Sequence, residues 1–364
     1  MQPKPNISKL APGVHGSIDY AELKRRGISP HDVIDFSVST NPFGPSPEIN
    51  EALSNISIAR YPDSEASELA EAISDRLGLS TDNVIIGSGS TELIRLVATA
   101  YFGPGDTVLV PQPTYAEYEV ASTIVGAQIL KQLMREKEQF QLDIAETANL
   151  IRKHQPKGIF LCNPNNPTGH YIAREEIEKI MSITQDNLII LDEAYIAFTR
   201  NGWTSLDLLS RGNLIILRSM TKDHSLAGLR LGYAVSTKSI ISILKRIKPP
   251  WNVSSVAHKA GVIALKSDSY LRECETKIQA AKNFLINELG QLGLSTLPSK
   301  TNFFLIKVGN AGEFRQVLLS KGILVRDCTS FGLPEYIRLA PRTLPECQRL
   351  ITTIKESGVH SHAS

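Results

Sequence analysis

The stretch RSMTKDHSLAGLRLGYA, residues 218–234, sets Lys222 beside Thr221 and close to Ser219, with Arg230 further along the same largely apolar run. A lysine at a strand end has an ordinary use, extending its ammonium to water along an apolar surface. It also has a chemical one. A desolvated amine near another cation gives up its proton more easily and can condense with an aldehyde. GSGSTE (87–92) places glycines and the hydroxyls of Ser90 and Thr91 at a strand-to-helix turn, where backbone N–H groups receive phosphate. The same residues also suit a plain helix cap, with Glu92 in the first turn. Asp192 and Tyr195 close the apolar run NLIILDEAY (187–195). A carboxylate there needs a cation or strong donors, and either an internal partner such as Arg230 or a cationic ligand atom meets the need. Asn166 lies in NPNNPTG (163–169), whose prolines and glycine predict a tight, rigid loop. Its amide either caps the next turn or donates to a ligand oxygen.

These clusters fall where strands end. Apolar β-branched runs at 83–87, 106–111, 126–133, 158–163, 187–195 and 213–220 alternate with helical stretches such as 90–102 and 174–184. That alternation predicts an α/β fold, a mostly parallel sheet covered on both faces. Ligands in such sheets sit outside the carboxyl ends of the strands, so the clusters point to one shared site. From about residue 270 the pattern changes to a long helix followed by NFFLIKV, GILVRDC and EYIRLA, which reads as a smaller α+β domain. The expected division is an N-terminal arm over 1–45 meeting the small domain, a large domain over 46–268 and a small one over 269–364.

The 39 basic and 37 acidic residues leave a net charge of +2, no basis for expecting nucleic acid or an anionic membrane as partner. Four separated cysteines form neither a disulfide framework nor a zinc site, and no metal is expected. No apolar run reaches the ~18 residues of a membrane span, and the opening residues lack a signal-peptide core; a cytoplasmic protein is expected.

A phosphate-binding turn, a strand-end carboxylate, a loop amide and a lysine together fit pyridoxal 5'-phosphate. That cofactor needs an amine for its aldehyde, an anion for its pyridinium nitrogen and donors for its phosphate. NPNNPTG, DEAY and SMTK followed by LAGLRLGY resemble the fold-type I pyridoxal-phosphate enzymes of the class I/II aminotransferase superfamily, in the branch of histidinol-phosphate aminotransferase and threonine-phosphate decarboxylase. The resemblance implies the pyridoxal-dependent transferase fold. It makes Lys222 the residue that bonds the cofactor and moves protons, and Asp192 the partner of the pyridine nitrogen. Asn166 and Tyr195 bind the ring oxygen, Ser90, Thr91, Ser219 and Arg230 hold the phosphate, and Tyr115 of PTYAEY stacks on the ring. Tyr61 of RYPD reaches the neighbouring subunit's cofactor, which implies a homodimer. Arg326 and Arg338 clamp an anionic substrate, carboxylate or phosphate alike.

The N-terminal stretch 15–44, with His15-Gly16, GISP and DFS followed by NP, resembles the opening of threonine-phosphate decarboxylase. On that resemblance His15 and Asn41 face the substrate, and the expected reaction is decarboxylation of L-threonine O-3-phosphate in cobamide synthesis. The alternative is amino transfer from histidinol phosphate, with glutamate and its 2-oxo acid as partner pair. It is supported by LAGLRLGY and GPSP, and by DHSLAG standing where the decarboxylase pattern has an aromatic residue and a proline.

Overall fold

The computed structural model describes residues 1–8, 10, 13–14, 16–54, 56–184 and 186–362. Its strands are β1 (Ile34–Asp35), β2 (Val84–Gly87), β3 (Thr107–Gln112), β4 (Gln128–Leu133), β5 (Gly158–Cys162), β6 (Leu188–Asp192), β7 (Leu214–Ser219), β8 (Gly232–Val235), β9 (Phe304–Lys307), β10 (Ile323–Leu324), β11 (Arg326–Asp327) and β12 (Tyr336–Leu339). Seven of them form one sheet in the order β2-β8-β7-β6-β5-β3-β4. All its pairings are parallel except those of β8, which runs against both β2 and β7.

Alternation along each strand feeds two cores. Ile189 and Leu191 of β6 and Leu214 and Ile216 of β7 enter the core on one face. Ile190, Ile215 and Leu217 enter the other. All seven are shielded from water, and burying such a side chain stabilises the fold by roughly 1.5–3 kcal/mol. The continuous apolar runs of these central strands follow from that double coverage.

Two sequence expectations change in detail. The run 187–195 leaves the sheet at Asp192, and Tyr195 instead precedes a short 3-10 turn, Ile196–Phe198. The expected strand at 322–328 divides in two: β10 pairs in parallel with β1 from the arm, and β11 joins β12 and β9 in an antiparallel sheet. The chain crosses from one ladder to the other at Val325, which a single apolar run does not disclose. Strand β8 lies hidden at the end of LRLGYAV, too short for its own period to show.

Helices Asp268–Gln291, Ala311–Leu319 and Leu344–Ser357 pack with the second sheet around a separate core, and Phe36 from the arm enters it. The arm is tied down further by Phe36 N donating to Leu324 O at 2.8 Å and Ala340 N donating to Phe36 O at 3.1 Å. Among the described residues no helix is long and apolar enough to cross a membrane.

Candidate active site

Strands β5, β6 and β7 end beside one another, and a cavity of about 610 Å³ opens over their carboxyl ends. Ser90, Thr91, Tyr115, Asn166, Asp192, Tyr195, Ser219, Lys222, Arg230, Arg326 and Arg338 all line it. Residues as distant in the chain as Ser90 and Arg338 thus share one cavity, because consecutive crossovers return the parallel strands in the same direction and β11 and β12 add two arginines from the second sheet.

Asp192 lies at the end of β6, 3% exposed. Its Oδ2 accepts the Tyr118 hydroxyl at 2.8 Å, and its Oδ1 accepts the Ala194 amide at 2.9 Å. Burial pushes the carboxyl up; the Tyr118 and Ala194 hydrogen bonds and the Lys222 charge pull it back, and Glu193 adds to the rise. Arg230 is not its ion-pair partner, since that guanidinium donates to Ala227 O at 3.1 Å. The half-buried Arg218, on the neighbouring strand, instead meets Glu193 at 2.8 Å. An anion so placed is best relieved by a cationic group entering the cavity.

Lys222 is half-buried, its Nζ 5.5 Å from the centroid of the Tyr195 ring. Its carbonyl accepts the Asn41 amide at 2.7 Å, which fixes the backbone behind the amine. Tyr195 meets Phe303 edge-on at 4.8 Å. Asn166 sits on a loop pinned by Asn165, whose side chain donates to Pro113 O and Thr168 Oγ1, both at 2.9 Å. The Asn166 Oδ1 accepts Arg338 Nη1 in a short contact.

Helix Ser90–Tyr101 begins at Gly89 with no side-chain cap, so its first-turn N–H groups have no intrahelical acceptor. Glu92 folds back onto Ser88 N at 2.6 Å. Ser219 Oγ and Thr221 Oγ1 lie 2.7 Å apart, and Thr91 Oγ1 meets the Tyr115 hydroxyl at 3.2 Å. Burial raises that tyrosine to about 12. Gly232 of β8 is required by close approach: a Cβ there would stand 2.8 Å from Arg218 O and 2.9 Å from Ser90 N. Arg230 holds a left-handed backbone, φ 54°, a cost of order 1 kcal/mol that is met where function over-determines the geometry. The turn, the hydroxyls and Arg230 make a cradle suited to a phosphate dianion. Lys222 and Asp192 supply, on the same cavity wall, the amine and the anion that an aldehyde and a pyridinium nitrogen require, so the residues present fit pyridoxal phosphate.

Arg326 and Arg338 are register partners across β11 and β12, so their side chains share one face. Like charges directly opposite repel, and neutral acceptors hold them. Arg326 Nη2 donates to Val14 O and Ser330 Oγ, both at 2.7 Å, and Arg338 Nη2 donates to Ser37 O at 2.7 Å. Burial and the neighbouring Arg338 charge lower the Arg326 pKa. Arg338 Nε is buried without a hydrogen-bond partner among the described residues. Two confined guanidiniums held in this way favour an incoming anion.

Two sequence candidates, Asn41 and Tyr61, stand elsewhere. Asn41 is buried beneath Lys222, donating to Asp223 O at 3.1 Å and accepting Phe43 N at 3.1 Å. Tyr61 is 80% exposed and stacks on Trp251, ring centroids 4.6 Å apart. His15 lies outside the described residues. Sequence reasoning also missed Tyr118, although PTYAEY spaces it three residues from Tyr115 at the start of a helix, where both rings can serve one wall. Ser37 and Phe303 act through a backbone carbonyl and a ring face, which no motif advertises.

Residues 31–354 match the family "Aminotransferase class I and II". The chain belongs to that family; it is a pyridoxal-phosphate-dependent enzyme of the aminotransferase class. It is 38% identical over 311 residues to a histidinol-phosphate aminotransferase of Thermoanaerobacter sp. (strain X514), covering 85% of this chain and 87% of that one. It is 33% identical over 360 residues to the enzyme of that name from Methanocaldococcus jannaschii, covering 96% of each. Among solved structures, the histidinol-phosphate aminotransferase of Sinorhizobium meliloti in complex with pyridoxal-5'-phosphate shares the fold, with a TM-score of 0.87 at 23% identity over 98% of this chain and 97% of that one. The L-threonine-O-3-phosphate decarboxylase of Porphyromonas gingivalis has a TM-score of 0.78 at 26% identity over 88% of this chain and 98% of that one.

These likenesses overturn the expected decarboxylase. Curated relatives at 31–38% identity over most of the chain are histidinol-phosphate aminotransferases, whereas the decarboxylase is one structural neighbour. The N-terminal motif misled for a physical reason. Gly16 is there because a Cβ would lie 2.7 Å from Ser37 O, and Asn41 because it pins the segment behind Lys222. Both dock the arm, a task that either reaction imposes.

Proposed function

We propose that the chain transfers the amino group of histidinol phosphate to 2-oxoglutarate. The observation that carries this reading is the cross-strand pair Arg326 and Arg338 on the cavity wall. A guanidinium fork accepts phosphate and carboxylate with the same geometry. One pair can therefore seat the phosphate of the first substrate and a carboxylate of the second, as two half-reactions sharing one cavity require. The activity named for the relatives supports it.

Bound pyridoxal phosphate supplies an electron sink for the substrate's Cα–H bond. The chain does the rest. Lys222 would carry the proton to and from the substrate Cα. Asp192 would keep the ring nitrogen protonated, Asn166 and Tyr195 would hold the ring oxygen, and Tyr115 would pack on the ring face. Ser90, Thr91, Ser219 and Arg230 hold the phosphate.

A single turnover of the loaded enzyme tests this. Histidinol phosphate is expected to convert the cofactor to its amino form, and 2-oxoglutarate to restore it, without carbon dioxide. An unchanged cofactor spectrum with histidinol phosphate would sink the reading.

The proposal includes a homodimer. The stacked rings of Tyr61 and Trp251 are exposed apolar surface, and Ile58, three residues before Tyr61, is exposed as well; burial against a second copy is the natural use of such a surface. Sedimentation should give twice the chain mass, and Tyr61→Ala should weaken cofactor retention. A monomer with full activity would contradict it.

A further inference from the structure

Helix Asp268–Gln291 turns an apolar stripe of Ile278, Ala281, Leu285 and Leu289 inward, and Lys282 lies within that stripe, 5% exposed. An apolar side chain would serve the helix there, since an ammonium withdrawn from water costs free energy unless its donors are matched. Lys282 spends its donors on one segment. Its Nζ donates to Ser299 O at 2.8 Å and to Thr301 O at 2.6 Å.

That segment touches three walls of the cavity. Lys300 N donates to Gly169 O at 2.9 Å, on the loop that carries Asn166. Asn302 Nδ2 donates to Ser39 O at 3.3 Å, on the arm whose Ser37 carbonyl holds Arg338. The Phe303 ring lies edge-on to Tyr195, and the Arg338 guanidinium sits over it, 5.0 Å from its centroid. Internally the segment is braced by Thr301 N on Ser299 Oγ at 3.2 Å and by Ser299 Oγ on Phe303 O. Arg338, its Nε without a partner among the described residues, is therefore fixed by Asn166, Ser37 and the Phe303 face, and the last of these hangs on the segment that Lys282 holds.

We propose that Lys282 is a positioning residue for the substrate-anion site, setting Arg338 through the segment 299–303. This rests on the proposed reading of Arg338 as an anion-gripping residue. Small displacements of a positioning group are costly in binding and rate. Neither the distance of Lys282 from the cavity nor its place in a helix core announces such a role.

The test uses the pyridoxal-loaded enzyme and sulfate, a non-reacting dianion, titrated by calorimetry. Lys282→Met should weaken sulfate binding about tenfold and leave cofactor occupancy unchanged, and Lys282→Arg should restore most of the affinity. Lowered thermal stability with unchanged sulfate affinity in Lys282→Met would make the lysine a core peg alone and overturn the proposal. Should that variant not fold, amide exchange in the unmutated holoenzyme decides. Burial lowers Lys282 to about 8, with Lys300 the nearby charge. Opening the segment returns the amine to water, where it holds its proton more tightly, so raising the pH from about 7 to 9.5 favours the closed form. Protection of amides 300–303, corrected for intrinsic rates, should rise; flat protection overturns the coupling. Sulfate is no substrate, so a full sulfate effect in an enzyme inert to histidinol phosphate would sink the reaction and leave Lys282 its role.

Discussion

Lys222→Ala is expected to lower turnover by at least about 10³-fold, with the fold and thermal stability kept. The amine lies half-buried over the Tyr195 ring, on a backbone held by Asn41, so removing its side chain empties the centre of the cavity without disturbing either core. General acid–base transfer by a placed group is worth about 10²–10⁴-fold, and covalent capture of the cofactor is lost with it. Borohydride should attach the cofactor to the unmodified protein at this residue and fail to attach it to the variant. A variant that kept a tenth of the parent rate would end the assignment of Lys222 as proton carrier.

Much of the lining of the candidate site could be read in the sequence because its residues fall in short motifs. Ser90 and Thr91, Asn166, Asp192, and Ser219 with Lys222 each fall at the carboxyl end of a strand or just after it, and a parallel sheet brings such ends together whatever the helices between them. Continuous apolar runs marked the central strands for the same reason, since residues 188–191 and 214–217 are buried on both faces and had to be apolar throughout. What stayed hidden depends on pairings between distant segments. The break at Val325 arises from two different partners, Ile34–Asp35 and Tyr336–Leu339, neither of which the local pattern contains. Tyr118 acquires its function only when the helix Glu117–Ile124 sets its hydroxyl beside β6. The preference for decarboxylation came from residues that dock the arm, and docking leaves open which substrate bond is cleaved.

Asp192→Asn is the second large loss expected, about 10²–10³-fold in turnover with much smaller changes for Tyr118→Phe. The exchange preserves volume and removes the anion proposed to meet the pyridine nitrogen. Each unit by which that nitrogen's pKa falls corresponds to about 1.4 kcal/mol of lost preference for the protonated ring, and the barrier to Cα–H cleavage rises as the ring attracts electrons less strongly. The protein invests in this charge. A buried carboxylate is costly, and here it is kept with a tyrosine donor, a backbone amide and a lysine in range instead of a salt bridge of its own. Tyr118→Phe takes away one of those donors and leaves the anion, so its effect should be about tenfold or less, the scale of a single hydrogen bond to a charged group. Rates of both variants, read beside the cofactor's absorbance across pH, separate the two: Asp192→Asn should shift the ring-nitrogen titration downward and Tyr118→Phe should barely move it. Equal losses in the two variants would mean that Asp192 acts by holding Tyr118 in place, and its charge would then have no part in the chemistry.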